Sequence, residues 1–254
     1  MLFILAAIIQ PPSGWLMATM AIIGYWQLVL ISNPPDFPPD YSTASGTFLS
    51  AMGITYWFWR ISMRKTLESF KELPLERAFW WGLGLWIGIE SQNLFSKIPI
   101  SRLVASDFQR PGAVTAIVIL GAIALVAVFF QIIALRSIGI LKFLLIWYIA
   151  VAVVFVILAC IPGWVLRVHH YILAMLVMPA LGTPTRLAAL LQGFMLGWFI
   201  DGVGKWGFDG LVQSDAEVSP IGRLDAEHLN RSAEMLQRGR SFLRFSKIRQ
   251  RYRL

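Results

Sequence analysis

Charge is scarce in this chain, and acids are scarcest. Its 254 residues hold 22 Lys and Arg against 14 Asp and Glu, 14% in all. A soluble domain carries about 25%, so too few charges are present to cover a globular surface in water. Cysteine is nearly absent: Cys160 is the single one. One thiol excludes an internal disulfide and a thiolate metal site within the chain. Set in an apolar run, Cys160 reads as a small buried or lipid-facing residue. Histidine numbers three, His169, His170 and His228. A bis-histidine haem needs ligands from two helices, and His228 falls in a polar tail, so haem is not expected. No P-loop, GxGxxG, HExxH or Gly-x-Ser-x-Gly run occurs. The usual signatures of nucleotide binding, zinc proteolysis and serine hydrolysis are therefore missing. The basic stretch that would precede a cleavable signal is missing too.

What the chain has instead is apolar length. It is 57% hydrophobic, with 11 Trp and 17 Phe. The class is a polytopic membrane protein, an all-α transmembrane bundle of about seven spans. Residues 1–10 are apolar but too short to cross, and Pro11 and Pro12 interrupt them. They are half of a broken helix, or the chain is a piece of something longer. Spans are expected at 15–31, 41–59, 78–93, 113–134, 143–161, 164–180 and 187–210. The second is rich in Ser, Thr and Gly in its first half and should pack against protein. The fourth and fifth are uniformly greasy and carry no expected chemistry. The sixth is the poorest. Residues 1–212 form the membrane domain. Residues 213–254 form a basic tail whose Leu224, Leu229, Leu236, Leu243 and Ile248 suit an amphipathic surface helix.

The net charge of +8 concentrates in residues 60–77 and 223–253. Such residues set topology or touch anionic lipid more often than they bind nucleic acid, so the expected partner is the bilayer. The positive-inside rule puts residues 60–77 in the cytoplasm. The acidic proline loop at 33–40 is then outside. Counting onward places the tail outside as well, where Asn230-Arg231-Ser232 would serve as a glycosylation acceptor.

The stretch 187–210 is the expected centre. Gly193, Gly197, Asp201, Lys205 and Asp209 follow each other at i,i+4 and share one helix face. Its upper part is a G-x-x-x-G pair that admits a close neighbour, as is Gly84 with Gly88. Its lower part alternates acid, base, acid. Upstream lie Arg167, His169, His170 and Arg186, and the third span ends at Glu90. On a helix, adjacent His169 and His170 would point about 100° apart. One of them with Asp201, Asp209 or Glu90 would offer a nitrogen and oxygen set suited to a divalent ion. The plainer reading makes these residues interfacial, and makes Asp201–Lys205 a favourably ordered helix pair.

The same segments carry a resemblance. His169-His170-Tyr171-Ile172-Leu173, Pro179, Gly182-Thr183, Thr185-Arg186, Gln192-Gly193, Leu196-Gly197, Asp201-Gly202 and Trp206-Gly207-Phe208-Asp209 resemble the membrane region of fungal LCCL-domain-containing proteins. Ile98-Pro99-Ile100-Ser101-Arg102-Leu103, Asp107 and Pro111-Gly112-Ala113 are similar too, so the likeness covers residues 33–209. The cysteine-bearing LCCL domain itself is absent. Asp201 stands where the family tends to have Asn, and Lys205 where it has Arg. The resemblance implies a multi-pass protein of the secretory pathway, vacuole or plasma membrane, with an outside tail and no stated reaction. Three functions are therefore carried forward. The first is a non-enzymatic scaffold or lipid-sensing module of endomembranes. The second is an intramembrane metal-dependent hydrolase using His169, His170, Asp201 and Asp209. The third is a transporter with Asp201 and Lys205 in its path.

Overall fold

The computed structural model describes residues 8–32, 41–94, 112–162, 164–166, 169–208 and 210–214. The expected amphipathic tail, the proline loop, Arg167, Asp209 and Asn230 lie outside them. The described chain is helical apart from one three-residue ribbon. Its helices are α1 (Ser13–Leu30), α2 (Tyr41–Phe58), α3 (Arg64–Ser69), α4 (Pro74–Ile89), α5 (Ser91–Leu94), α6 (Ala113–Ser137), α7 (Leu141–Ala159), α8 (His170–Val177) and α9 (Arg186–Trp206). A π-helical turn, Trp59–Met63, joins α2 to α3, and a 3-10 turn, Met178–Leu181, follows α8.

Two compact units divide the chain. The first is Met1–Val151 with Val168–Asp209, the second Ala152–Arg167 with Gly210–Leu254. In the second unit, β1 (Trp164–Leu166) pairs antiparallel with β2 (Val212–Ser214). Cys160 is exposed there, as a lipid-facing thiol would be.

In the first unit α9 is the central helix, packed on α4, α8, α1 and α2. Its partner α4 meets it through glycine on both sides. A Cβ on Gly84 would run into the Leu190 carbonyl, and one on Gly88 into the Phe194 carbonyl. A Cβ on Gly193 would strike the Trp81 carbonyl, and one on Gly197 the Leu85 carbonyl. The two close-approach pairs thus face each other, backbone on backbone. Helices α1, α4 and α9 run in one direction. Arg77 at the start of α4 reaches Pro11 before α1, and Ser32 after α1 reaches Glu90 after α4. Likewise Arg186 meets Glu76 near one end, and Lys205 meets Gln92 near the other. Helix α2 runs back against α1, with Tyr25 Oη donating to the Ala44 carbonyl at 2.8 Å.

Among the described residues, four helices are long and apolar enough to cross a membrane: Ser13–Leu30, Val114–Ser137, Leu141–Ala159 and Arg186–Trp206. They match four of the seven expected spans. Helix α4 has 16 residues, or about 24 Å, short of a hydrocarbon core of about 30 Å. The segment expected at 164–180 begins as a strand. Its helix starts at His170 and gives way to the 3-10 turn holding Pro179, where proline lacks an N–H. The first half of α2 does not pack as expected: Ala44 is buried, but Ser45, Gly46 and Ser50 are exposed. Gly46 has nothing within 4 Å of where a Cβ would stand.

Candidate functional site

The polar residues of the central face come together where α1, α4 and α9 end. Lys205 Nζ lies 2.8 Å from Asp201 Oδ1, with the two side chains 4% and 0% exposed. The i,i+4 spacing in acid-then-base order sets this pair within one helix. Lys205 Nζ also reaches Gln92 Oε1 at 3.4 Å. Glu90 belongs to the same end. It accepts from Ser32 Oγ at 2.8 and 2.9 Å and from Asn93 Nδ2 at 2.6 Å, and its charge acts on Asp201. His170 completes the group. Its ring stacks on Trp198 with centroids 5.6 Å apart and lies against Gly202, where no side chain stands in the way. Its Nε2 is buried and has no hydrogen-bond partner among the described residues. Lys205 acts on it electrostatically.

Four expected site residues, Glu90, His170, Asp201 and Lys205, are therefore neighbours. The others part company. His169 is not helical: it caps α8 with extended backbone, φ −75° and ψ 153°, and stacks on Tyr171. The expected 100° divergence on one helix does not apply. Helix α9 stops at Trp206 because Gly207 turns the chain at φ 69°, a conformation that glycine adopts without penalty. The described part of the five-residue face therefore ends at Lys205. Arg186 sits at the opposite end of α9, about 28 Å of helix from Lys205. It grips Glu76 with Nε–Oε2 2.6 Å and Nη2–Oε1 2.9 Å, and this guanidinium holds the Glu76 carboxyl below the usual carboxylate range.

Among the described residues, no group of three His, Cys, Asp or Glu is placed to hold a metal ion. Asp201 already has Lys205 as its cation.

A second polar site has no counterpart in the sequence expectations. Gln192 Nε2 shares its two protons among Ser62 Oγ at 2.9 Å, Thr66 Oγ1 at 2.9 Å and the Leu181 carbonyl at 2.8 Å. Thr66 Oγ1 donates to the Thr183 carbonyl at 2.9 Å. Gln131, in a helix expected to carry no chemistry, donates to the Ala180 carbonyl at 2.7 Å and to Thr183 Oγ1 at 2.9 Å. Thr185 then caps α9 by accepting from the Ala188 N–H at 3.1 Å. Gln192, Thr66 and Thr183 are fully buried. The network ties the π-helical turn, α6 and the turn before α9 into one knot. Gln192→Leu strands Ser62 Oγ and part of Thr66, while the Leu181 carbonyl keeps the Thr183 N–H at 2.8 Å. It is expected to cost about 2 kcal/mol, read as a lowered unfolding temperature in detergent.

No family model matches the chain, and no solved structure matches it. It is 31% identical over 207 residues to the uncharacterised protein YIL067C of Saccharomyces cerevisiae, an alignment covering 78% of this chain and 30% of that protein. The chain thus spans under a third of the length of that relative.

Proposed function

We propose that the chain is a seven-pass membrane module that acts by holding helices and lipid in place: a scaffold or lipid-sensing element of the endomembrane system. The observation that carries this reading is the closed Asp201–Lys205 pair. Both charges are buried, the ammonium lies against Asp201 Oδ1, and Gln92 takes the ammonium's next hydrogen bond. A pair engaged in this way fixes helix packing. The shared direction of α4 and α9 supports an odd number of crossings between them. The apolar α6 and α7 supply two such crossings. Helix α8 with its 3-10 turn, too short to cross alone, supplies the third. The likeness to fungal LCCL-domain-containing proteins supports the secretory pathway, vacuole or plasma membrane as the site of action.

The transporter reading has one observation in its favour. His170 Nε2, buried and without a hydrogen-bond partner among the described residues, offers an uncommitted ring nitrogen to a passing polar solute. Purified protein analysed for metal and then assayed for ion flux in liposomes separates the three functions. The scaffold reading expects neither. Stoichiometric metal lost in His170→Ala would replace it with the hydrolase, and flux lost in Asp201→Asn would replace it with the transporter.

Side is testable separately. The face holding exposed Arg60, Arg64, Lys65 and Lys71 is assigned to the cytoplasm by the positive-inside rule. A seventh crossing then leaves Asn230 outside. Expressed in a eukaryotic cell, the wild type should shift in mobility on glycosidase digestion and Asn230→Gln should not. A tail reached by antibody only after permeabilisation, with no shift, would remove one crossing.

A further inference from the structure

Arg77 is a buried cation with no counter-ion among the described residues. It is 4% exposed and sits in the first turn of α4, the helix end at which positive charge is disfavoured. Among the described residues its one hydrogen bond is from Nη2 to the Pro11 carbonyl, at 3.2 Å. The acids near it in sequence are turned elsewhere. Glu76 holds Arg186, Glu68 holds Arg64, and Glu72 is exposed. Burial pushes its guanidinium below the usual arginine range. A guanidinium carries five N–H donors, so most of its donors are uncommitted.

Pro11 stands just ahead of α1. That helix begins after Pro12, which gives it no side-chain cap. The first intrahelical bond is made by the Leu16 N–H. The amides of Ser13, Gly14 and Trp15 are thus the free donors of a helix start. Another donor lies at the same turn. Trp59 Nε1 is buried without a partner and is 3.8 Å from where a Cβ on Gly14 would stand. Around the start of α1, an uncapped helix, a guanidinium and an indole N–H therefore bring donors, and no negative charge among the described residues. Oriented amides beside an arginine form a phosphate-binding donor set.

We propose that Arg77, the N-terminus of α1 and Trp59 form a binding site for a phosphate group, supplied by a lipid headgroup or by free phosphate. The site does not depend on the scaffold reading, because a transporter would hold phosphate here equally well. The test uses the full chain in detergent and native mass spectrometry. The probes are phosphatidic acid, inorganic phosphate and, as a phosphate-free control, diacylglycerol with the same acyl chains. Wild type should retain phosphatidic acid and not diacylglycerol. Arg77→Gln should weaken retention about tenfold, and Trp59→Phe, which keeps the ring and loses the N–H, several-fold. Lys71→Gln, an exposed charge at the same face, should leave it unchanged. Displacement of the lipid by inorganic phosphate would show that the site accepts free phosphate, and resistance to it would assign the lipid headgroup. If Arg77→Gln does not fold, Trp59→Phe decides. Equal retention by wild type and Trp59→Phe, or an equal loss in Lys71→Gln and Arg77→Gln, would overturn the site.

Discussion

Asp201→Ala, with Lys205 left in place, is expected to lose about 3–5 kcal/mol of stability, the usual cost of leaving one member of a buried pair uncompensated. Gln92 Oε1, at 3.4 Å from the ammonium, is neutral and cannot replace the carboxylate. Lys205→Ala should cost a similar amount. It leaves Asp201 with no cation and with Glu90 acting on it. The double variant Asp201→Leu with Lys205→Met should behave differently. Apolar side chains of similar volume often replace a buried pair at no net cost, or with a gain. Thermal unfolding in detergent should therefore place both singles far below wild type and the double near it. Single variants within about 1 kcal/mol of wild type would mean that water reaches the pair, against its burial. The double variant also separates the functional readings. A scaffold built on packing alone tolerates it, whereas a transporter routed through Asp201 folds and fails.

Part of this site was legible in the sequence because helical spacing is periodic. Gly193, Gly197, Asp201 and Lys205 recur at i,i+4 in an apolar run, and such a pattern places side chains on one face whatever surrounds the helix. Its end was not legible. Glycine occurs inside α9 four times and terminates it only at Gly207, and no local rule separates those cases. Adjacency also misled the reading of Arg186, which precedes the central helix in sequence and therefore sits at the far end of it from Lys205. The Gln192 network escaped for another reason. Its partners lie 130 and 126 residues away, and single Ser, Thr and Gln residues in apolar helices have no period to betray them. A lone glutamine in such a helix was the one available signal, since an amide there must find partners. Gln131 carried the same signal. The greasy fourth and fifth segments were read correctly as helices because nothing in them competes with apolar length.

The glycine contact between α4 and α9 yields the other large effect. Gly193→Ala adds one carbon where the Trp81 carbonyl and the Leu85 amide already stand. Both are backbone atoms on a helix that cannot bend away locally, so the helices must separate along their length. Overpacking of this kind costs about 1–3 kcal/mol. It outweighs the gain of up to about 1 kcal/mol that alanine brings over glycine in a helix. Gly193→Leu should cost more and abolish recovery of folded protein. Two other helical glycines make the comparison sharp. Gly46 and Gly121 have nothing within 4 Å of an added Cβ, so alanine there should be neutral or stabilising. The sign of the change, measured as unfolding temperature in detergent, is the decisive quantity. A loss at Gly193, Gly197, Gly84 and Gly88 with none at Gly46 and Gly121 locates the close contact. A stabilising Gly193→Ala would mean that α4 and α9 do not touch through their backbones, and the ends of both helices would then have no fixed register for Lys205 to meet Gln92.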